Sequence, residues 1–174
     1  GNPIPLINNA NGFPYAVHIG VIKVVAEAIR HAWDVIHSDP SKHLVPKAPG
    51  APDEDRYTDA ICQILDQMLS NDPPSVEGFT SDMFQSVSRS ESASNFSGQN
   101  LNKQPDILIR LAEGPLIDAR RFVGIYVEAK IVSMSHSISK YTNKGLRRFV
   151  VGEYSWAMQE GMMISYQRIK HRPI

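Results

Sequence analysis

Two short pieces of the chain hold residue types that do chemistry together. One is Gln104-Pro105-Asp106, which opens the apolar run Ile107-Leu108-Ile109. The other is Val127-Glu128-Ala129-Lys130, which closes the run Phe122-Val123-Gly124-Ile125-Tyr126. Both runs have the composition of strands. Side chains two apart on a strand share a face. Glu128 and Lys130 therefore point the same way, with Tyr126 and Gly124, while Val123, Ile125, Val127, Ala129 and Ile131 point into a core. A carboxylate and an ammonium on one strand face, beside a carboxylate from a neighbouring strand, can hold a divalent metal and a water nucleophile.

Such a set suits phosphodiester hydrolysis, which needs a polarised phosphate, an activated water and relief of charge on the leaving oxygen. Magnesium serves all three. It takes oxygen ligands and usually one or two carboxylates, keeping several waters. Asp106 and Glu128 offer carboxylates, and the Ala129 carbonyl offers a further oxygen. Lys130 is placed to orient the attacking water and offset charge on the phosphorane. Desolvation near a metal lowers a lysine pKa, which suits a base. An acid on a nearby helix completes the set; Glu54 is the choice, with Glu27, Asp55 and Asp59 as rivals.

The elements that must position these residues are legible in the spacing. Tyr15 to about His37 repeats apolar residues at three and four, a helix with one buried stripe, and Ser38-Asp39-Pro40 stops it. Residues 40–52, with four prolines, read as a loop. A second helix starts near Pro52-Asp53-Glu54-Asp55, where acids favour the positive end of the helix dipole, and runs through Ile61, Ile64, Leu65, Met68 and Leu69. The polar stretch Ser75 to Lys103 reads as mobile loop with a short helix near Ser81–Val87. Two strands follow, joined by a connector containing Glu113-Gly114-Pro115. Then come a helix over about Gly145–Gln159 and a last strand, Met162–Tyr166. The expected fold is a single α/β domain over residues 1–174: a helical part (1–70), a polar loop (about 75–103) and a core (104–170), its small mixed sheet flanked by helices.

Pro105-Asp106, a gap of about twenty residues, then Glu128-Ala129-Lys130 resembles the signature of the PD-(D/E)XK nucleases, the restriction-endonuclease-like superfamily. The resemblance covers about Asp53 to Tyr166. It implies a helix carrying an acid, a hairpin carrying the Asp and the Glu-x-Lys, a further helix and a further strand. It implies Asp106 and Glu128 as metal ligands, Lys130 as catalytic and Glu54 as the helix acid, with magnesium replaceable by manganese. It also implies a DNA endonuclease of restriction or anti-phage-defence type. The Gln-x-x-x-Tyr of some exonuclease branches is missing, since Met163 stands four after Gln159. An inactive binding module with the same fold, or a subunit of a larger complex, are the alternatives.

Charge distribution agrees with a polyanionic partner. Residues 1–102 carry six Lys or Arg against twelve Asp or Glu, a net of −6, and residues 103–174 carry twelve against six, a net of +6. Lys140, Lys144, Arg147 and Arg148 form a basic run after the site, suited to phosphate contacts, with Tyr141, Tyr154 and Trp156 nearby for base stacking. DNA is the expected partner, with RNA left open, and a homodimer is expected because restriction-type enzymes commonly pair to cut both strands. A lone cysteine, Cys62, forms no internal disulfide and reads as a buried thiol. The chain shows no membrane-length apolar stretch and no basic-then-apolar leader, so a cytoplasmic setting is expected. The six histidines lack ligand spacing, and no phosphate-cradling glycine pattern occurs.

Overall fold

Helix periodicity in the first third and strand periodicity in the remainder produce a sheet with two helices on one face. The computed structural model describes residues 18–50, 53–89, 105–112, 124–132 and 161–167. Helix α1 (Ile19–Ser38) starts where the His18 ring accepts from the Gly20 N–H at 3.0 Å. Its buried stripe is Val25, Ala28, Ile29, Ala32 and Ile36. A short helix, α2 (Pro40–His43), follows directly, where the sequence pattern reads as loop. Asp39 ends α1 and caps α2, accepting from the Lys42 N–H, and Pro40 sits in the first turn, where its missing N–H costs nothing.

Helix α3 (Asp53–Met68) carries Asp53, Glu54 and Asp55 in its first turn, where the free N–H groups and the dipole favour anions. It buries Thr58, Ala60, Ile61, Cys62, Ile64, Leu65 and Met68. Burial pushes the Cys62 thiol up to about 11, so it stays protonated at neutral pH.

The sheet contains β1 (Phe84–Arg89), β2 (Ile107–Leu111), β3 (Gly124–Val132) and β4 (Gly161–Gln167), in that spatial order. β1–β2 and β2–β3 are antiparallel, and β3–β4 is parallel. The architecture is mixed α/β with a four-stranded mixed sheet. A parallel neighbour requires a crossover of a dozen or more residues; the helix expected at 145–159 lies outside the described residues. β1 is a strand where the sequence pattern predicts a short helix near Ser81–Val87; residues 90–103 of the expected loop lie outside the described residues. The β1 register shifts between Phe84 and Ser86, so Phe84 and Val87 both reach the core three residues apart. That spacing imitates a helix turn.

Ile107, Ile109 and Leu111 of β2, Ile125, Val127 and Ala129 of β3 and Tyr166 of β4 join α1 and α3 in one core. The alternation expected for β3 therefore holds at 125, 127 and 129. Leu108, Tyr126 and Glu128, on the other face, are also buried. Among the described residues no helix is long and apolar enough to cross a membrane.

Gly124 lies across from Arg110 at the start of β3, and a Cβ there would sit 2.8 Å from both the Ile109 carbonyl oxygen and Leu108 Cδ1. The backbone cannot yield as a flexible side chain can. Gly124→Ala is expected to lower stability by about 2 kcal/mol, the usual cost of overpacking. A urea titration checks this, through a lower midpoint at unchanged slope.

Candidate active site

β2 and β3 bring the two chemistry-bearing pieces together. Asp106 immediately precedes β2, and its Oδ2 accepts a hydrogen bond from the Ala129 N–H at 2.7 Å. This fixes the carboxylate beside the strand that carries Glu128 and Lys130. Glu128 is 1% exposed. A carboxylate so buried costs several kcal/mol unless a cation accompanies it, and Lys130 Nζ lies 3.0 Å from its Oε1.

The same ammonium gathers the rest of the set. Lys130 Nζ is 3.3 Å from Glu54 Oε1, 3.6 Å from Asp106 Oδ2 and 2.6 Å from the Ala129 carbonyl oxygen, to which it donates. Asp106, Glu128, Lys130, Glu54 and the Ala129 carbonyl, separated by up to 76 residues in sequence, thus meet around one atom. Glu54 reaches it because α3 lays its first turn against the end of β3.

The rivals for the helix acid are placed elsewhere. Asp55 and Asp59 lie 3.6 Å and 3.3 Å from Arg89, at the end of β1. Glu27 is on the exposed side of α1. The basic run Lys140, Lys144, Arg147 and Arg148, and the aromatic residues Tyr141, Tyr154 and Trp156, lie outside the described residues. Arg89, Thr58 and Tyr166 are neighbours of the site that the sequence pattern did not single out. Thr58 carries a weak signal, standing one helical turn after Glu54; Tyr166 reads only as a strand residue.

The carboxylates around Lys130 act on its pKa against burial. Burial pushes the Lys130 ammonium towards a lower pKa, but the Glu128, Asp106 and Glu54 carboxylates together outweigh it and hold the group above the ordinary lysine value of 10.5. In this ion-paired arrangement Lys130 is a cation and a hydrogen-bond donor.

The donor types are those that a hard divalent cation takes. Two carboxylates and a carbonyl are all-oxygen ligands, the chemistry that magnesium and manganese prefer. Three carboxylates around one ammonium leave a surplus of two formal negative charges, which one divalent ion balances. Among the described residues no three His, Cys, Asp or Glu side chains are grouped so as to hold a metal ion; Lys130 Nζ lies within 3.6 Å of all three acids. No family model matches this chain, and no curated protein or solved structure matches it either.

Proposed function

We propose that the chain is a metal-dependent phosphodiesterase of the PD-(D/E)XK kind, acting on DNA as an endonuclease. The observation that carries the reading is the convergence of Glu54, Asp106 and Glu128 within 3.6 Å of Lys130 Nζ. Element order supports it. A helix bearing an acid precedes an antiparallel meander bearing the Asp and the Glu-x-Lys, and the last strand joins parallel to the strand of the lysine. This order agrees with the acid-bearing helix, the hairpin with the Asp and the Glu-x-Lys, and the further strand that the resemblance implies; the further helix lies outside the described residues.

In this reading Asp106, Glu128 and the Ala129 carbonyl hold magnesium, or manganese in its place. The ion supplies Lewis acidity towards the phosphate and a more acidic bound water. The remaining steps belong to the chain. The Ala129 N–H holds Asp106 in place at 2.7 Å. Burial of Glu128 keeps one carboxylate shielded from solvent. Lys130 donates to a non-bridging phosphate oxygen and offsets the charge that grows there as water attacks in line. Glu54 holds the ammonium from the helix side, so that it does not swing away when phosphate enters. The basic residues Lys140, Lys144, Arg147 and Arg148 supply phosphate contacts, and two copies of the chain cut the two strands. Restriction or anti-phage defence is the setting this chemistry suits.

The test is cleavage of supercoiled plasmid with magnesium, comparing the parent with Lys130→Ala and Asp106→Ala. The parent is expected to nick and linearise DNA. Each variant is expected to lose about 10²-fold or more of the rate, as when one transition-state donor is removed. Equal products from all three remove the assignment. DNA binding without magnesium or manganese binding in calorimetry identifies an inactive recognition module instead.

A further inference from the structure

Tyr166 ends its side chain against helix α3, not against solvent. It is 6% exposed, its ring stacks on Trp33 at 5.3 Å and 7° between planes, and its hydroxyl lies 3.0 Å from Thr58 Oγ1. Thr58 is 1% exposed, and its Oγ1 donates to the Glu54 carbonyl oxygen at 2.7 Å. A threonine hydroxyl has one proton. That proton is committed to Glu54, so Tyr166 is the donor in its bond to Thr58. Burial pushes the Tyr166 hydroxyl well above its ordinary range, which keeps the donor proton in place.

The result is a directed chain: Tyr166 O–H to Thr58 Oγ1, then Thr58 O–H to the Glu54 carbonyl. It starts on β4 opposite Ile131, one residue beyond the position where Lys130 pairs with Ser165. It ends on the residue whose carboxylate holds the Lys130 ammonium at 3.3 Å. One strand register therefore fixes both ends of the Glu54–Lys130 contact, the lysine through β3–β4 pairing and the glutamate through two buried hydroxyls.

We infer that Tyr166 and Thr58 are positioning residues, which set the first turn of α3 so that Glu54 holds Lys130 in its working place. The inference rests on the reading of Glu54 as the helix acid of the site. Neither residue touches a reacting atom. The two hydroxyls act through the Glu54 backbone. Tyr166→Phe removes the donor and keeps the ring stacked on Trp33. Thr58→Val removes both bonds at nearly constant volume, and Thr58→Ser keeps the hydroxyl.

Two measurements test it. The first is urea unfolding of the metal-free protein in a cycle: parent, Tyr166→Phe, Glu54→Gln and the double variant. Tyr166→Phe is expected to lower the parent midpoint by about 0.5 M, the size of one buried hydrogen bond, and by a smaller amount once Glu54 is Gln, where the bonds to Thr58 and to the Glu54 carbonyl persist and only the part carried by the Glu54–Lys130 contact is lost. Equal shifts in the two backgrounds overturn the inference, because the hydroxyl chain then stabilises the fold without acting on the Glu54–Lys130 contact. The second is steady-state cleavage. Tyr166→Phe and Thr58→Val are expected to lower kcat about tenfold with KM within twofold of the parent, and Thr58→Ser to stay within twofold on both. Parental kcat in Tyr166→Phe, or a loss in Thr58→Ser equal to that in Thr58→Val, overturns it as well. Should the parent fail to cleave DNA, the nuclease reading falls, and the unfolding cycle alone decides on the hydroxyl chain.

Discussion

Lys130→Met is expected to destabilise the metal-free protein by about 3 to 5 kcal/mol at neutral pH, the cost of stripping one partner from a buried ion pair. Met keeps most of the apolar stem, so the loss is of charge more than of packing. The variant leaves Glu128, 1% exposed, without the ammonium at 3.0 Å. It also leaves Glu54 and Asp106 to repel Glu128 across the gap. Glu54→Gln has the opposite profile. Its side chain is 27% exposed, and it is expected to change stability by less than about 1 kcal/mol. The sign with pH follows from Lys130. Its folded pKa lies above the ordinary 10.5, so its stabilising contribution is full below that value and is lost as pH rises through the folded pKa. The gap between the parent and Lys130→Met should accordingly close at strongly alkaline pH. Urea unfolding at pH 7 and above pH 10.5 measures both. A Lys130→Met protein as stable as the parent at pH 7 would mean that the lysine is not the counter-charge of Glu128.

Metal linkage provides the second large effect. Manganese at about one hundred times its dissociation constant should stabilise the parent by about 2.7 kcal/mol, a rise of several degrees in Tm for a chain of this length. Asp106→Asn and Glu128→Gln should remove most of that rise, since each deletes a charged oxygen from the set. Lys130→Met should keep it or enlarge it, because the ion then balances three carboxylates that have lost their ammonium. This ordering separates a metal site from general electrostatic screening. Screening by the salt raises all four proteins alike, and it is reproduced by sodium chloride of equal ionic strength without manganese.

How much of this was legible in the sequence depends on which residues carried a local signal. Glu128 and Lys130 could be placed on one face because β3 alternates without interruption from Ile125 to Ala129. Asp106 could be placed beside them because the proline before it and the apolar run after it mark the entry to a strand. The first turn of α3 was legible through its three successive acids, although nothing in the sequence distinguished Glu54 from Asp55; the side of the helix that faces β3 decides it. β1 was not legible. Phe84-Gln85-Ser86-Val87-Ser88-Arg89 has two core residues three apart, and the register shift at Gln85, which makes that spacing possible in a strand, comes from pairing with β2. α2 was hidden by Asp39-Pro40, which ends one helix and caps the next with the same two residues. The raised pKa of Lys130 was also out of reach. It depends on three carboxylates from three elements, and a sequence reveals only the one two residues away. The Tyr166–Thr58 bond spans 108 residues and has no local signature at either end.

The measurement that bears most directly on the account is the anomalous difference map of a crystal grown with manganese. The account expects one strong peak bounded by Asp106, Glu128 and the Ala129 carbonyl, with the Lys130 ammonium moved off the centre and still held by Glu54. A saturating concentration that leaves no peak there, with Nζ still in contact with all three carboxylates, would contradict it; the four residues would then be a partly buried ion-pair cluster that ties α3 to the sheet.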